Sequence, residues 1–218
     1  MKTVLKMLAV ASAMVIPATA ANAQAYIGGS LGDAVMVPSV AEDSINQWID
    51  ATYPGTPDCS LLVCYNDENA PGAIKIFGGY RFNDYFSAEG YAAYLGTFES
   101  YANDGLGIDA YTTTDITTVG VAAVGMFPVS NQASLMAKFG AHTWAMEGVI
   151  DLLDTGPGGG TWLTKYQTSG TDFMGGIGVQ VDIDGKAAIR LEFEYFAAST
   201  ASENFGVGML SIGGMYKF

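Results

Sequence analysis

The sequence is poor in cations, cysteine and histidine, and each shortage excludes a class of protein. Its 218 residues contain nine Lys and Arg against 22 Asp and Glu, a formal net charge of −13. Nucleic-acid binding needs a basic surface, so this balance argues against it. His142 is the only histidine, and Cys59 and Cys64 are the only cysteines. We therefore expect no metal site, because no cluster of Cys and His can complete one, and we expect no cofactor.

A hydrophobic run long enough to cross a bilayer as a helix is also missing. The longest apolar stretch, residues 7–16, is about half the roughly twenty residues that a transmembrane helix needs. Two lysines precede it, and the small-residue motif Ala-Asn-Ala follows at 21–23, as in a secretory signal peptide with its cleavage site. We predict a signal peptide over residues 1–23 and one mature domain over 24–218. A retained N-terminal anchor is the less favoured alternative.

Eight runs of alternating apolar and polar residues follow the predicted signal peptide. Each has about ten residues, as expected of a tilted strand that crosses a membrane. In the last run Leu210, Ile212 and Tyr216 share one face, whereas Ser211 and Lys217 share the other. The runs lie near residues 25–35, 72–82, 86–98, 116–127, 134–146, 172–182, 187–197 and 205–218.

The connections between these runs alternate in length. Three are short and carry the turn formers Asn, Asp, Pro and Gly, whereas the other four are mostly long and polar. Short periplasmic turns and long external loops are typical of outer-membrane barrels, and this arrangement places both termini in the periplasm. The four external loops are predicted near residues 36–71, 99–115, 147–171 and 198–204.

Ionisable residues share faces with one another. In the seventh run Arg190 and Glu192 lie on one face, whereas Leu191 and Phe193 lie on the other. A secreted β-sandwich would also alternate, but its outward face would be polar over a large area. A barrel in lipid accommodates both faces, because its apolar side chains contact lipid and its ionisable side chains lie in the lumen. We therefore predict an all-β fold, an eight-stranded antiparallel transmembrane β-barrel of up-and-down topology that closes by pairing its first and last strands.

The same alternation points seven charged side chains into the lumen. An unpaired buried charge is costly, so we expect these side chains to pair with one another. In particular, we expect Arg190 to bond to Glu89 or Glu192 and to block the passage of water. The seven are Lys75, Arg81, Glu89, Lys138, Arg190, Glu192 and Glu194.

Two further features concern the first loop and the end of the chain. Cys59 and Cys64 can form a small-loop disulfide in the oxidising cell envelope, with free thiols as the alternative and a metal site less favoured than either. The last strand ends on Phe218, with Tyr216 on the same face. Such aromatics mark a barrel strand for insertion, so we expect the barrel assembly machinery to bind this strand.

Four stretches resemble the transmembrane domain of the OmpA family. Residues 76–83, IFGGYRFN, and 88–96, AEGYAAYLG, are similar to its strands two and three. Residues 190–193 and 208–213 are similar to its strands seven and eight. The resemblance covers the predicted strands but not the loops, and it implies the same eight-stranded barrel. Nothing follows Phe218 that would imply the peptidoglycan-binding domain of full-length members.

The resemblance also implies a lumenal charge network. Glu89 and Arg190 stand where the family pairs an inward Glu with an inward Arg, and Lys138 matches another inward basic residue. Val124 and Gln180 stand where the family has Lys and Glu, and Ser30 replaces an inward Lys. The partners that would gate a small pore are therefore partly missing. This pattern favours a closed interior in which the remaining charges satisfy one another, because an eight-stranded barrel has little free lumen.

A catalytic role is not supported by the sequence. Some barrel deacylases use His-x-Ser, whereas this chain reads His142-Thr143, which puts the hydroxyl on the opposite face of the strand. We expect His142 to be a polar residue near the external rim and the protein not to be an enzyme. A lipid A-modifying enzyme is a distant alternative.

Two functions remain open. The first is a structural or surface-interaction role through acidic extracellular loops, and the second is a narrow, porin-like channel for ions or small solutes. The expected partners are outer-membrane lipid, lipopolysaccharide and an unidentified extracellular ligand. We expect a monomer in the outer membrane.

Overall fold

The computed structural model describes residues 24–37, 63–66, 71–103, 108–154, 159–199 and 204–218. The predicted signal peptide, residues 1–23, lies outside this part of the chain, as does Cys59. Cys64 lies in a strand, but its side chain is not described. The signal peptide and the disulfide therefore stay predictions. No helix among the described residues is long and apolar enough to cross a membrane.

The described residues form nine antiparallel strands, eight of which close into a barrel. The first and last strands pair, with Leu31 opposite Ile212, and this closes the barrel. The predicted eight-stranded, up-and-down β-barrel is therefore confirmed. The strands are β1 (Gln24–Val37), β2 (Val63–Asn66), β3 (Gly72–Arg81), β4 (Phe86–Asn103), β5 (Ile108–Pro128), β6 (Ala133–Asp154), β7 (Thr161–Asp182), β8 (Ala187–Ser199) and β9 (Asn204–Lys217).

The two faces of the strands differ as the alternation predicts. In β9, Leu210 and Ile212 are 56% and 61% exposed, whereas Ser211 and Lys217 are buried. Apolar residues make up the same exposed face all round the barrel. An exposed apolar belt closed on itself is what lipid contact requires. Its largest members include Ile27, Leu31, Ile74, Ile76, Val121, Phe127, Phe139, Phe173, Ile177, Leu191, Phe193, Leu210 and Ile212.

One end of the barrel, called here the turn end, carries three tight turns that are held in the same way. In each, a side-chain oxygen accepts hydrogen bonds from two backbone N–H groups further along the chain. Asn83 Oδ1 lies 2.8 Å and 2.9 Å from its two donors, and Ser130 Oγ lies 3.2 Å and 3.0 Å from its own. Asp184 Oδ1 lies 2.7 Å and 2.6 Å from the N–H groups of Lys186 and Ala187. Asn, Ser and Asp favour turns for this reason.

The opposite end is uneven, because four neighbouring strands are much longer than the rest. β5, β6 and β7 have 21, 22 and 22 residues, whereas β3 has 10 and β8 has 13. Their extra residues extend the sheet beyond the short strands β3, β1, β9 and β8. We call this extension the outer wall and define it as residues 96–103, 108–118, 143–154 and 161–173.

The prediction of long loops near residues 99–115 and 147–171 is wrong, because most of these residues are paired strand in the outer wall. The predicted loop 36–71 likewise contains β2, which pairs with residues 100–103 of β4. On the outward face of β7 the apolar row ends at Phe173 and the polar row begins at Thr171. Beyond this level the outward row of β7 is mostly polar, so the contrast between its two faces is weak and the sequence shows little alternation.

A β-bulge marks the place where β4 leaves the barrel and enters the outer wall. β4 pairs with β3 only as far as Tyr94, and its register against β5 shifts between Tyr94 and Gly96. Gly96 has a φ of 99°, in the left-handed region where a side chain would be strained. A bulge bends a strand and increases its twist, so this one redirects β4 above its shorter neighbour.

Candidate functional site

Six charged side chains from four strands meet in the middle of the lumen. Lys75 comes from β3, Glu89 from β4, Lys138 from β6, and the remaining three from alternate positions of β8. We call them the charge cluster: Lys75, Glu89, Lys138, Arg190, Glu192 and Glu194. None is more than 6% exposed. With three acids and three bases, the charge cluster is neutral when all six are ionised.

Glu89 receives hydrogen bonds from three directions. Arg190 Nη1 donates to Glu89 Oε2 at 2.6 Å, and Lys138 Nζ donates to Glu89 Oε1 at 2.6 Å. The Tyr26 hydroxyl donates to Glu89 Oε2 at 3.1 Å. Charge-assisted hydrogen bonds of this length are strong, and removing one donor leaves a buried carboxylate without compensation.

The two other acids bind the two lysines. Lys75 Nζ donates to Glu192 Oε2 at 2.6 Å and also to Glu194. Lys138 Nζ donates to Glu194 Oε1 at 3.2 Å and lies 2.7 Å from Glu192 Oε1, which is an ion-pair contact without hydrogen-bond geometry. Lys138 therefore contacts all three acids, and the charge cluster is one connected network.

Phe77 lies at the centre of the three cations, a position that sequence reasoning missed. Its ring centroid is 5.4 Å from Lys75 Nζ, 5.7 Å from Lys138 Nζ and 4.9 Å from Arg190 Cζ. The negative face of an aromatic ring attracts cations, most strongly where water is excluded. The signal was present in the sequence, because Phe77 follows Lys75 by two residues and therefore shares its inward face.

Arg81 does not join the charge cluster, although its alternation points inward. It lies at the turn end, where Arg81 Nη2 contacts Asp84 Oδ1 at 3.3 Å and Arg81 Nε donates to the Asn83 carbonyl. Lys217 is a second cation near this end, and its Nζ lies 2.7 Å from Asp182 Oδ2. The sequence placed both on the inward face but did not indicate their level along the barrel axis.

The three positions that differ from the OmpA pattern, Ser30, Val124 and Gln180, all lie inside the barrel. Gln180 Oε1 accepts a hydrogen bond from Arg190 Nε at 3.1 Å, so a neutral amide stands where the resemblance expected a carboxylate. Val124 packs with Met126 and Met136 in a small apolar group. An apolar group that includes two methionines therefore lies where the resemblance implied a lysine.

The lumen on the two sides of the charge cluster differs in character. Towards the outer wall lies an apolar layer that includes Met174, Phe196, Val207 and Met209, none of them more than 2% exposed. Towards the turn end, a cavity lined by Tyr26, Met126, Arg190 and Lys217 among others has a volume of only about 10 Å³. That is room for about one water molecule. Among the described residues, side chains therefore fill the lumen at the level of the charge cluster and of the apolar layer.

His142 lies inside the barrel, one residue before the outer wall begins on β6 and opposite Asp172 of β7, a level near the predicted external rim. Its exposure is 2%, its Nδ1 is 2.8 Å from Thr118 Oγ1, and its Nε2 is 2.8 Å from the Ala197 carbonyl. Thr143 faces the other way and contacts Thr171 on the outside. Both ring nitrogens are therefore occupied by structural contacts. Among the described residues, no group of three or more His, Cys, Asp and Glu side chains is arranged to hold a metal ion.

The two terminal aromatics lie on the lipid-facing side. Tyr216 is 45% exposed and Phe218 is 72% exposed, and their rings contact edge to face at 5.4 Å between centroids. The Phe218 N–H donates to the Ala25 carbonyl at 3.0 Å, which joins the end of the chain to β1. Their role as an insertion signal stays a prediction.

Comparison with known proteins agrees with this architecture. The family model described as the outer membrane protein beta-barrel domain matches residues 6–218. The chain belongs to this family. It is therefore an outer-membrane β-barrel protein, and the family match supports the predicted location in the outer membrane. No curated protein matches the chain.

Several solved structures are similar to this chain. Neisserial surface protein A is 15% identical, with 90% of this chain and 99% of that chain covered and a TM-score of 0.53. OprG from Pseudomonas aeruginosa is 10% identical, with 91% and 96% covered and a TM-score of 0.50. Ail from Yersinia pestis is 16% identical, with 90% and 97% covered and a TM-score of 0.46. The likeness to Neisserial surface protein A and OprG supports a common fold and, at identities this low, nothing finer.

Proposed function

We propose that the protein works at the cell surface through its outer wall and the connections around it, and that the barrel is a closed support. The observation that carries this proposal is the filled lumen. Six charged side chains pair across it, and an apolar layer lies between them and the outer wall. Because these side chains fill the lumen in the described part of the chain, what distinguishes this barrel is the paired sheet that rises from one side of it.

The proposal places the outer wall outside the cell and the three tight turns in the periplasm. Outer-membrane barrels have short periplasmic turns and longer external segments, and this chain follows that pattern. Gln24 and Phe218 then both lie at the periplasmic side. Lipid and lipopolysaccharide contact the apolar belt, and the barrel assembly machinery binds β9. We also propose that the barrel is a monomer.

We do not propose an enzyme. His142, the only histidine, has both nitrogens engaged, and Thr143 is on the opposite face of β6. A nucleophile needs a base within hydrogen-bond reach and an accessible substrate position. The Thr118 hydroxyl is within reach of His142, but both side chains are buried and offer no accessible substrate position.

A narrow channel is the second candidate, and one observation favours it. The hydroxyl oxygens of Ser30, Tyr91 and Ser211 are buried without a hydrogen-bond partner. Buried polar atoms of this kind are where internal water is found. Ser211 lies opposite Glu192 in the β8–β9 pairing, so a water there would touch the charge cluster.

Conductance in planar bilayers separates the two candidates. The full-length protein, refolded and reconstituted at increasing amounts, should give no unitary current steps above the lipid baseline. A barrel of the same family with an open pore serves as the positive control. Reproducible steps that scale with the amount of protein would make the channel the leading function and the closed support wrong.

A further inference from the structure

One edge of the outer wall has no partner strand within the described residues. β7 pairs with β8 only from Asp182 to Met174, whereas its pairing with β6 continues to Thr161. Beyond Met174, the end of β8 bonds to a side chain, because the Ser199 N–H donates to Asp172 Oδ2 at 2.9 Å. In the part of the chain that the structure describes, one side of the backbone of residues 161–171 therefore has no partner strand. We call this stretch the free edge.

The alternation of β7 identifies which residues offer backbone groups there. The Asp182 N–H donates towards β6, to the Gln132 carbonyl, whereas the Ile183 N–H donates towards β8, to the Ala187 carbonyl. Neighbouring residues in a strand point their backbone groups in opposite directions, and no register shift interrupts the pairing of β7. Odd-numbered residues, whose side chains face outward, therefore point their N–H and C=O groups away from β6. Along the free edge these include Leu163, Lys165, Gln167 and Ser169.

The free edge has few of the features that normally protect a sheet edge. Its sequence, TWLTKYQTSGT, contains no proline and one charge, Lys165, and it is rich in Thr and aromatic residues that favour strands. Trp162 and Leu163 are 56% and 61% exposed. An edge of this kind is a template for an added strand.

The acids nearest to the free edge decide which strand it would accept, because Glu147 lies directly opposite Gln167 and Asp151 directly opposite Leu163. Lys165 is the only Lys or Arg in the four outer connections, residues 36–71, 99–115, 147–171 and 198–204, against fourteen Asp and Glu. On the outward face of the wall, Asp115 and Glu147 lie directly opposite each other. Such a field attracts cationic segments and repels anionic ones. It also disfavours a second copy of this chain, whose wall carries the same acids.

From these observations we propose that the free edge binds an extended, positively charged peptide segment by strand addition. The proposal rests on the proposed function, because it needs the outer wall to face outside. Backbone bonds to the odd-numbered residues would supply the pairing. The surrounding carboxylates would supply the preference for Lys and Arg in the added segment.

The test uses full-length protein in nanodiscs of phosphatidylcholine, a lipid with no net charge, so that the lipid does not attract the probe. The probe is a fluorescent peptide of about ten residues, the usual upper length of a strand, that alternates Lys and Val. One control peptide alternates Glu and Val. A second, the Lys–Pro peptide, separates the same number of lysines by two prolines each, so that it has the same charge but its few N–H groups do not all point to one side, and it has little capacity to add as a strand.

Two matched pairs of variants locate the binding. Gln167→Pro and Leu163→Pro each remove one N–H from the free edge without removing a backbone hydrogen bond between β6 and β7. The side-chain hydrogen bond from Gln167 Nε2 to Glu147 Oε1 is lost equally in Gln167→Pro and in its Ala partner. Gln167→Ala and Leu163→Ala remove only the side chains. Proline is tolerated on an edge strand where its missing N–H faces solvent, so all four variants should fold, as judged by heat-modifiable mobility in SDS gels.

The Lys–Val peptide should bind wild type at least about tenfold more tightly than either control peptide does. Each Ala variant should stay within about twofold of wild type, whereas each Pro variant should bind about fivefold more weakly, the effect of one inter-strand hydrogen bond. Equal binding of the Lys–Val and Lys–Pro peptides would mean charge attraction without strand addition, and would overturn the proposal. So would Pro variants that bind like their Ala partners, or no binding of the Lys–Val peptide at all. None of these results bears on conductance, which tests the closed support separately.

Discussion

Arg190 and Glu89 join opposite sides of the barrel, with Arg190 Nη1 2.6 Å from Glu89 Oε2. Arg190 lies on β8 and Glu89 on β4, and these strands are four positions apart in either direction round the closed sheet. Neither side chain is more than 2% exposed. The pair therefore crosses the whole width of the lumen, and it links the first half of the chain to the second.

Replacing Arg190 with Ala should destabilise the barrel by about 3–5 kcal/mol, because Glu89 would lose one of its two cationic partners and stay buried. Urea unfolding of the barrel in lipid vesicles, followed by tryptophan fluorescence, measures this change.

Arg81→Ala is the matched control. Arg81 is also an inward cation by sequence, but it contacts Asp84, whose side chain is 83% exposed. Such a surface pair contributes about 0–1 kcal/mol, so this variant should unfold nearly as wild type. Similar losses of unfolding free energy in Arg190→Ala and Arg81→Ala would contradict the conclusion that the buried pair stabilises the barrel more than the surface pair does.

Arg190→Ala alone should not make the barrel conduct ions. The apolar layer that includes Met174 and Phe196 lies between the charge cluster and the outer wall, and it would still exclude water. Planar-bilayer recordings of the single variant should match wild type, whereas Arg190→Ala combined with Phe196→Ala should show current steps. Conductance in the single variant would mean that the Arg190–Glu89 pair is itself the closure.

Asp172→Ala should loosen the place where β8 separates from β7. Asp172 Oδ2 accepts hydrogen bonds from the Trp144 indole N–H at 2.8 Å and from the Ser199 N–H at 2.9 Å. Trp144 is 1% exposed, so its N–H would be left without a partner, at a cost of about 1–3 kcal/mol. Faster amide hydrogen exchange at Ser199, together with a lower unfolding midpoint, checks this. Asp172→Asn keeps an acceptor oxygen, so its unfolding midpoint should fall less than that of Asp172→Ala.

Asp184 should make part of the barrel's stability depend on pH. Hydrogen bonds from the N–H groups of Lys186 and Ala187 hold the pKa of the Asp184 carboxyl below its ordinary value. The unfolded chain therefore takes up this proton at a higher pH than the folded chain does. The contribution is present above about pH 4, the ordinary pKa of Asp, and is lost as the pH falls through the folded pKa.

The matched variant for this prediction is Asp184→Asn, because Asn83 holds the first turn in the same way with a neutral side chain. Its unfolding midpoint should change less than that of wild type between pH 7 and pH 3. Identical pH profiles for the two proteins would show that Asp184 does not contribute to this dependence.

Much of the fold could be predicted from the sequence, because lipid imposes a strict pattern. Wherever a strand has lipid on one side and the lumen on the other, apolar and polar residues alternate. The eight predicted runs fall within or overlap the eight barrel strands. The same alternation predicted that the charge cluster lies inside. Side chains that are an even number of residues apart on one strand face the same side, and each member of the charge cluster has this spacing from the inward residues of its strand.

The outer wall could not be predicted in this way. Residues 108–115 and 147–154 are paired strand, but they lie beyond the apolar belt, where neither face contacts lipid. Without that contrast the alternation disappears, and the segments have the composition of polar loops. The free edge of β7 follows from the difference in length between β7 and β8, which the sequence did not indicate.

The sequence by itself determined the number of barrel strands, the positions of the turns and the face on which each charge lies, because these follow from local periodicity. Only the tertiary structure decided which charges meet. Glu89 and Arg190 are 101 residues apart, and they pair because closure sets the stagger between strands on opposite sides of the barrel. The same stagger places Arg81 at the turn end and Phe77 among three cations. Such long-range register depends on the whole closed sheet, and therefore leaves no mark in any single strand.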